Sequence, residues 1–149
     1  MEAIIFIGIQ GAGKSTFYQR HFFNTHLRLN LDMLKTRHRE QILLRACLEA
    51  QQPFVIDNTN PTCAARAGYL QQAKAAGFSV IGYYFQTALP TAIKRNEQRT
   101  GKARIPMKGI LGTHKKLELP SYAEGFDRLF YVETNEADEF VVKEWRDEV

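Results

Sequence analysis

The residues best suited to chemistry form the run Gly8-Ile9-Gln10-Gly11-Ala12-Gly13-Lys14-Ser15-Thr16, which has the spacing G-x-x-x-x-G-K-[ST]. A polyphosphate carries several negative charges, and successive backbone N–H groups surround it only where side chains leave room, as Gly8, Gly11 and Gly13 do. The pattern makes Gly11, Ala12, Gly13, Lys14, Ser15 and Thr16 the expected ATP contacts, with Lys14 on the outer phosphates and Ser15 on Mg²⁺. A helix starting near Gly13 aims its positive dipole end at the same anion. Asp32, behind the apolar stretch 26–29, is a candidate general base, and as an Asp it is also a natural helix N-cap; the two roles are compatible. Asp57, behind the stretch 53–56, is the candidate second acidic group at the metal, and a polar turn with Asn60 as N-cap and Pro61 at the first helical position is compatible with that role. Arg95 and Arg99 stand one helical turn apart, with Lys102 and Arg104 adding charge. Such cations either cover a phosphoryl group in transfer or form a solvated helix face.

These groups need elements to hold them. Residues 3–7 form a continuous apolar run, as a buried parallel strand does, and lead directly into the glycine-rich loop. Residues 15–23 lack a breaker and offer Phe17, Phe22 and Phe23 for packing. Strand-like runs at 26–29, 53–56, 78–85 and 128–132 alternate with helical stretches at 39–51, 63–76 and 90–100, the pattern of a parallel sheet covered by helices. In 39–51 the spacing puts Ile42, Leu43, Ala46, Cys47 and Ala50 on the apolar side, and in the third helical stretch Leu89, Ala92, Ile93 and Asn96 share a face. Gly77 and Gly101 stand where helices close. Residues 106–117 read as a helix interrupted by Gly109 and Gly112, 120–125 as a loop, and 140–145 as a strand or a terminal helix with an acidic tail.

At 149 residues, with 44% apolar and 24% charged residues, the expectation is one soluble domain over 1–149. No apolar run approaches the roughly 20 residues of a membrane span, and the start of the chain has no basic region ahead of its first strand, so a cytoplasmic location is expected. Cys47 and Cys63 form no close metal or redox pair and read as small buried apolar residues. The net charge of +4 agrees with a polyanionic partner without separating nucleotide from nucleic acid.

Several blocks together resemble the kinase domain of polynucleotide 5′-hydroxyl kinases, an AAA_33-like ATP-binding family: GIQGAGKSTF at 8–17, LNLD at 29–32, IDNTNP with the following arginine at 56–66, KRNEQR at 94–99, the IP pair at 105–106 and LPSYAEGF at 119–126. The resemblance implies a three-layer P-loop NTPase fold with a parallel central sheet and a helical lid. It makes Asp32 the general base, Lys14 and Ser15 the phosphate and metal residues, and Arg95 and Arg99 the lid arginines. Asn58 and Thr59 would lie near the acceptor strand. The family usually has Arg before the Asp, where this chain has Leu31; Lys35 stands one turn beyond, a point charge in place of a bidentate fork.

The implied activity is transfer of the ATP γ-phosphoryl group to a DNA or RNA 5′-hydroxyl, with Mg²⁺ as cofactor and with any 3′-end or ligase chemistry left to a separate phosphatase or ligase partner. A kinase for a small molecule, nucleoside or sugar-nucleotide shares the donor site, and a nucleotide-dependent regulatory ATPase lacks the acceptor. The stretch 100–105 is the expected hinge of a clamp carried by the two arginines.

Overall fold

The computed structural model describes residues 1–101, 104–135, 137 and 139–146. The first strand, β1 (Glu2–Ile7), is buried from Ala3 onward. It sits mid-sheet because both of its faces are apolar: Ala3, Ile5 and Ile7 point into one core, Ile4 and Phe6 into the other. Parallel partners flank it, β3 (Phe54–Ile56) on one side and β4 (Ser79–Phe85) on the other. Beyond β3 lies β2 (Leu27–Leu29), and beyond β4 lie β5 (Arg128–Thr134) and then β6 (Phe140–Glu144), giving the order β2-β3-β1-β4-β5-β6. The five strands β1–β5 run parallel, and β6 returns antiparallel along β5. Residues 140–145 therefore resolve as an edge strand, with Trp145 closing against Tyr84 and Tyr131.

Helices cover both faces, which makes the three layers. One face carries α3 (Arg37–Ala50) and α4 (Cys63–Ala75), whose Leu44, Cys47, Tyr69, Leu70 and Ala73 pack on the β1 and β3 side chains. The other carries α1 (Lys14–His21), whose Phe17 and Tyr18 join an aromatic cluster with Phe6, Tyr83 and Phe85. Above the C-terminal strand ends, α5 (Leu89–Glu97) and α6 (Met107–Lys116) enclose a small core of Ile9, Ala92 and Ile110. This pair is the helical lid.

Several local expectations need correction. The chain turns out of α1 with Phe22 as its C-cap, so Phe22 is only partly buried and Phe23 is left 67% exposed. In α3 the buried positions are Glu40, Leu44 and Cys47, while Ile42 and Leu43 face out; three partners of the Glu40 carboxylate rotate the helix toward a polar network. Asp32 is not a cap. The cap is Asn30, whose side chain accepts from Met33 N–H, and Asp32 lies in the first turn of α2 (Leu31–Leu34). Thr62, not Asn60, caps α4 by accepting from Ala65 N–H. Asn60 instead turns its amide inward to donate to the Phe6 carbonyl at 2.7 Å. The helix at 90–100 stops at Glu97, because Asn96 holds both backbone polar groups of Ile105 and folds the chain back. Arg99 thus lies beyond the helix that carries Arg95. Gly109 and Gly112 do not interrupt α6, whose Ile110 is fully buried against Ile9 and Ala92. Cys47 is buried and Cys63 only half-buried. Lys102 and part of the expected hinge at 100–105 lie outside the described residues, as does most of the acidic tail.

Candidate active site

In an open parallel sheet, ligands bind beyond the carboxyl ends of the strands, where neighbouring connections diverge. Here the loops after β1, β2 and β3 meet. Gly8 N–H donates to the Thr59 carbonyl at 3.0 Å and so ties the glycine-rich loop to the turn after β3. Gly11 has φ +80°, and a Cβ built there would stand 2.6 Å from the Ala92 carbonyl oxygen. The absent side chain lets α5 pack directly against the loop. Lys14 begins α1, is 9% exposed, and donates through Nζ to the carbonyls of Gly8 (2.8 Å) and Ile9 (2.7 Å). Its pKa is lowered to about 8, chiefly because burial desolvates the ammonium, with Asp57 and Asp32 opposing the fall and Arg99 adding to it.

Ser15 and Asp57 are brought together. Ser15 Oγ donates to Asp57 Oδ2 at 3.2 Å, with Asp57 2% exposed. Arg28, on β2, enters between them: its Nε donates to the same Oδ2 at 2.7 Å and its Nη2 to Ser15 Oγ at 3.0 Å. The turn carrying Asp32 is held by two asparagines. Asn30 Nδ2 donates to the Asp57 carbonyl at 2.5 Å, and Asn58 Oδ1 accepts from Leu31 N–H at 2.9 Å. Asn58 Nδ2 then donates to Glu40 Oε2 at 2.9 Å. Glu40, 3% exposed, also accepts from Tyr69 Oη (2.6 Å) and Arg37 Nη1 (3.2 Å). Desolvation and this carboxylate raise the pKa of Tyr69, which stays a proton donor.

A cavity of about 220 Å³ opens between these loops, lined by Gly11 to Ser15, Asp32, Asp57, Asn58, Thr59 and Arg99. A second, of about 500 Å³, adjoins it through Gly11, Gly13 and Arg99 and extends over Thr16, Arg20, Arg95 and Phe140. Arg95 is braced, its Nη1 donating to the Gly11 carbonyl and its Nη2 to Thr134 Oγ1, each at 3.2 Å. Lys35, exposed at the end of α2 with φ +76°, is not among the residues lining either cavity. A further cavity of about 560 Å³ lies beside Tyr131, Lys143 and Trp145 and shares no lining residue with these two.

Sequence reasoning missed Arg28 and Glu40, and gave no role to Arg66 at the end of the block 56–66 or to Gln10 in the glycine-rich loop. Arg28 and Glu40 lie within a strand and a helix, where a charged residue reads as solvated, and only the fold turns them inward. Arg66, fully buried, grips Glu124 through Nε (2.8 Å) and Nη2 (3.2 Å) and donates from Nη1 to the Asn60 carbonyl at 2.9 Å, fixing the loop after β3 from behind. Gln10 donates to Thr113 Oγ1 at 3.0 Å and so links the loop to α6.

A model of the AAA_33 family, described as an AAA domain, matches residues 34–120. The chain belongs to the AAA_33 family. The match begins beyond the glycine-rich loop, so the loop supports a nucleotide site independently of it. This AAA_33 chain is 26% identical over 132 residues to a bifunctional polynucleotide phosphatase/kinase of Schizosaccharomyces pombe, an alignment spanning 84% of this chain and 32% of that one. It is 29% identical over 135 residues to a putative bifunctional polynucleotide phosphatase/kinase of Acanthamoeba polyphaga mimivirus, spanning 86% and 32% respectively. The chain thus spans about a third of the length of these curated relatives. Among solved structures, a gluconokinase from Sinorhizobium meliloti superposes with a TM-score of 0.61 at 18% identity, over 89% of this chain and 82% of that one. Kti12 of Chaetomium thermophilum, in complex with ADP-AlF3, gives 0.63 at 16% identity, over 91% and 92%. Identities this low establish a shared fold. Together with the family match they make this an AAA_33 domain of α/β P-loop architecture, with its glycine-rich loop placed to hold phosphates.

Proposed function

We propose that residues 1–149 act as one kinase unit that transfers the γ-phosphoryl group of ATP to the 5′-hydroxyl of a polynucleotide. The observation carrying this reading is that Lys14, Ser15, Arg99 and Asp32, from three separate loops, line one cavity of about 220 Å³. The amides of Gly11 to Thr16 surround the phosphates, and Lys14 exchanges a carbonyl of its own loop for an outer phosphate oxygen. The donor chemistry suits Mg²⁺: Ser15 Oγ and Asp57 Oδ2 are hard oxygens 3.2 Å apart. Ser15 and Asp57 would hold Mg²⁺, which would supply positive charge to the phosphate oxygens. Asp32 accepts the proton of the attacking hydroxyl as its oxygen bonds to the γ-phosphorus; the bond to the bridging oxygen breaks and ADP leaves with that electron pair. Arg99 stands over the charge spreading on the transferred group.

The polynucleotide acceptor is supported by the two relatives, whose names carry a polynucleotide kinase and which align over more than four-fifths of this chain. One observation favours a small acceptor instead: Lys35, the cation nearest Asp32 in sequence, stays outside the cavity, and Leu31 adds no charge. The deciding experiment is labelled-phosphate transfer from ATP to 5′-hydroxyl DNA and RNA oligonucleotides at low and moderate salt, with a small-molecule pool including gluconate alongside. Transfer to an oligonucleotide that weakens as salt rises, and falls about a hundredfold or more in Asp32→Asn while ATP still binds, is the expected result. Transfer to the small-molecule pool alone overturns the polynucleotide reading, and ATP turnover indifferent to every acceptor returns the regulatory ATPase.

A further inference from the structure

Arg28 donates to both oxygens assigned above to Mg²⁺. It reaches them from the middle of the edge strand β2, its side chain 27% exposed against 2% for Asp57. The guanidinium makes two charge-assisted bonds, to Asp57 Oδ2 at 2.7 Å and to Ser15 Oγ at 3.0 Å, so the Asp57 carboxylate is already neutralised before any metal arrives. Among the described residues no cluster of three or more His, Cys, Asp or Glu is placed to hold a metal ion. A bare divalent cation approaching this pair therefore meets a carboxylate whose charge Arg28 already offsets, with the guanidinium itself against both oxygens the cation would need. A cation carried on a polyphosphate brings its own negative oxygens, and these compensate the guanidinium.

We propose that Arg28 is a positioning residue that makes metal loading depend on nucleotide: it holds Ser15 and Asp57 in register while excluding a free divalent cation, so that the metal enters only with the nucleotide phosphates. This rests on the metal reading of Ser15 and Asp57. The chemistry is electrostatic. Arg28 offsets the buried Asp57 charge in the nucleotide-free protein, and yields part of that role when a metal-nucleotide complex supplies the positive charge instead.

The test titrates nucleotide-stripped protein with Mn²⁺ and follows free Mn²⁺ by electron paramagnetic resonance, first without and then with ATP. Wild type should bind Mn²⁺ alone only in the millimolar range and Mn²⁺ with ATP far more tightly. Arg28→Gln keeps a hydrogen-bond donor but removes the charge, and should bind Mn²⁺ alone at least about tenfold more tightly, the effect of losing a partly exposed like charge. Arg28→Lys keeps the charge and should behave as wild type. Adding Ser15→Ala to Arg28→Gln should abolish the gain. Equal or weaker Mn²⁺ binding by Arg28→Gln overturns the proposal, and so does tight binding of Mn²⁺ alone by wild type, a result that needs no variant to fold. If instead Ser15→Ala leaves Mn²⁺ binding with ATP unchanged, the underlying metal reading is what fails.

Discussion

Removing the Asn58 side chain separates a positioning role from direct contact with an acceptor. Asn58→Ala deletes two hydrogen bonds at once, the acceptance from Leu31 N–H at 2.9 Å and the donation to Glu40 Oε2 at 2.9 Å. The first loss frees a backbone donor at the start of the turn bearing Asp32. The second takes a donor from a carboxylate only 3% exposed. A neutral bond lost at a half-buried site costs about 1 kcal/mol and one to a buried charge about 1.5–3 kcal/mol, so destabilisation of about 2–4 kcal/mol is expected. For a chain of this length that lowers the melting temperature by about 5–15 °C. The assay pairs urea denaturation with phosphoryl-transfer kinetics well below the new midpoint. If Asn58 works by holding Asp32, kcat falls and acceptor KM changes little. Glu40→Gln, which keeps the shape but loses the charge that Asn58 donates to, should weaken stability in the same direction. The double variant should then cost clearly less than the sum of the two, because the pair shares one bond. Unchanged stability together with a raised acceptor KM would refute this reasoning and make Asn58 a direct acceptor contact.

The same geometry sets other outcomes. Lys14, with its pKa lowered to about 8, is charged below that pH and loses its proton above it; ATP binding requires the proton back, so the ATP Kd should be flat from about pH 6.5 to 8 and rise by up to about tenfold per pH unit beyond, as calorimetry would show. Lys14→Ala should lower turnover by roughly a hundredfold with the fold intact by circular dichroism. Arg95 braces the phosphate loop, whereas Arg99 lines the cavity shared with Asp32, so Arg95→Ala should raise the ATP Kd and Arg99→Ala should lower kcat; equal effects on both constants in both variants would remove the distinction. Arg66→Met leaves Glu124 without its guanidinium in a site where Arg66 is fully buried, and should cost about 3–5 kcal/mol in urea denaturation, a result that an unchanged midpoint would contradict.

Features that depend on local spacing and on one-dimensional patterns were legible in the chain alone. The run of residues 3–7 had to be a central strand, because five consecutive apolar side chains need burial on both faces. The glycines and Lys14-Ser15 identified a phosphate loop, and the alternation of strand and helix signals led to a parallel sheet covered by helices. Asp32 and Asp57 stood out because they follow strand-like runs, Asp57 directly after β3 and Asp32 three residues past β2, and parallel strands deliver their succeeding loops to one edge of the sheet. Which polar groups meet is settled only in three dimensions. Nothing in Leu27-Arg28-Leu29 announces that Arg28 ends between Ser15 and Asp57; that requires β2 to pair with β3 in the register that sets Arg28 against Val55. Nothing in the α3 spacing announces that Glu40 is buried, since the partners that allow it come from Asn58 and Tyr69, 18 and 29 residues away. Caps shifted for a similar reason: Asn60 reads as a helix N-cap until the buried Phe6 carbonyl claims its amide and Thr62 caps in its place. Periodicity in a chain reports which side chains want to leave water, whereas the pairing of buried charges and amides depends on distances that exist only after the strands have assembled.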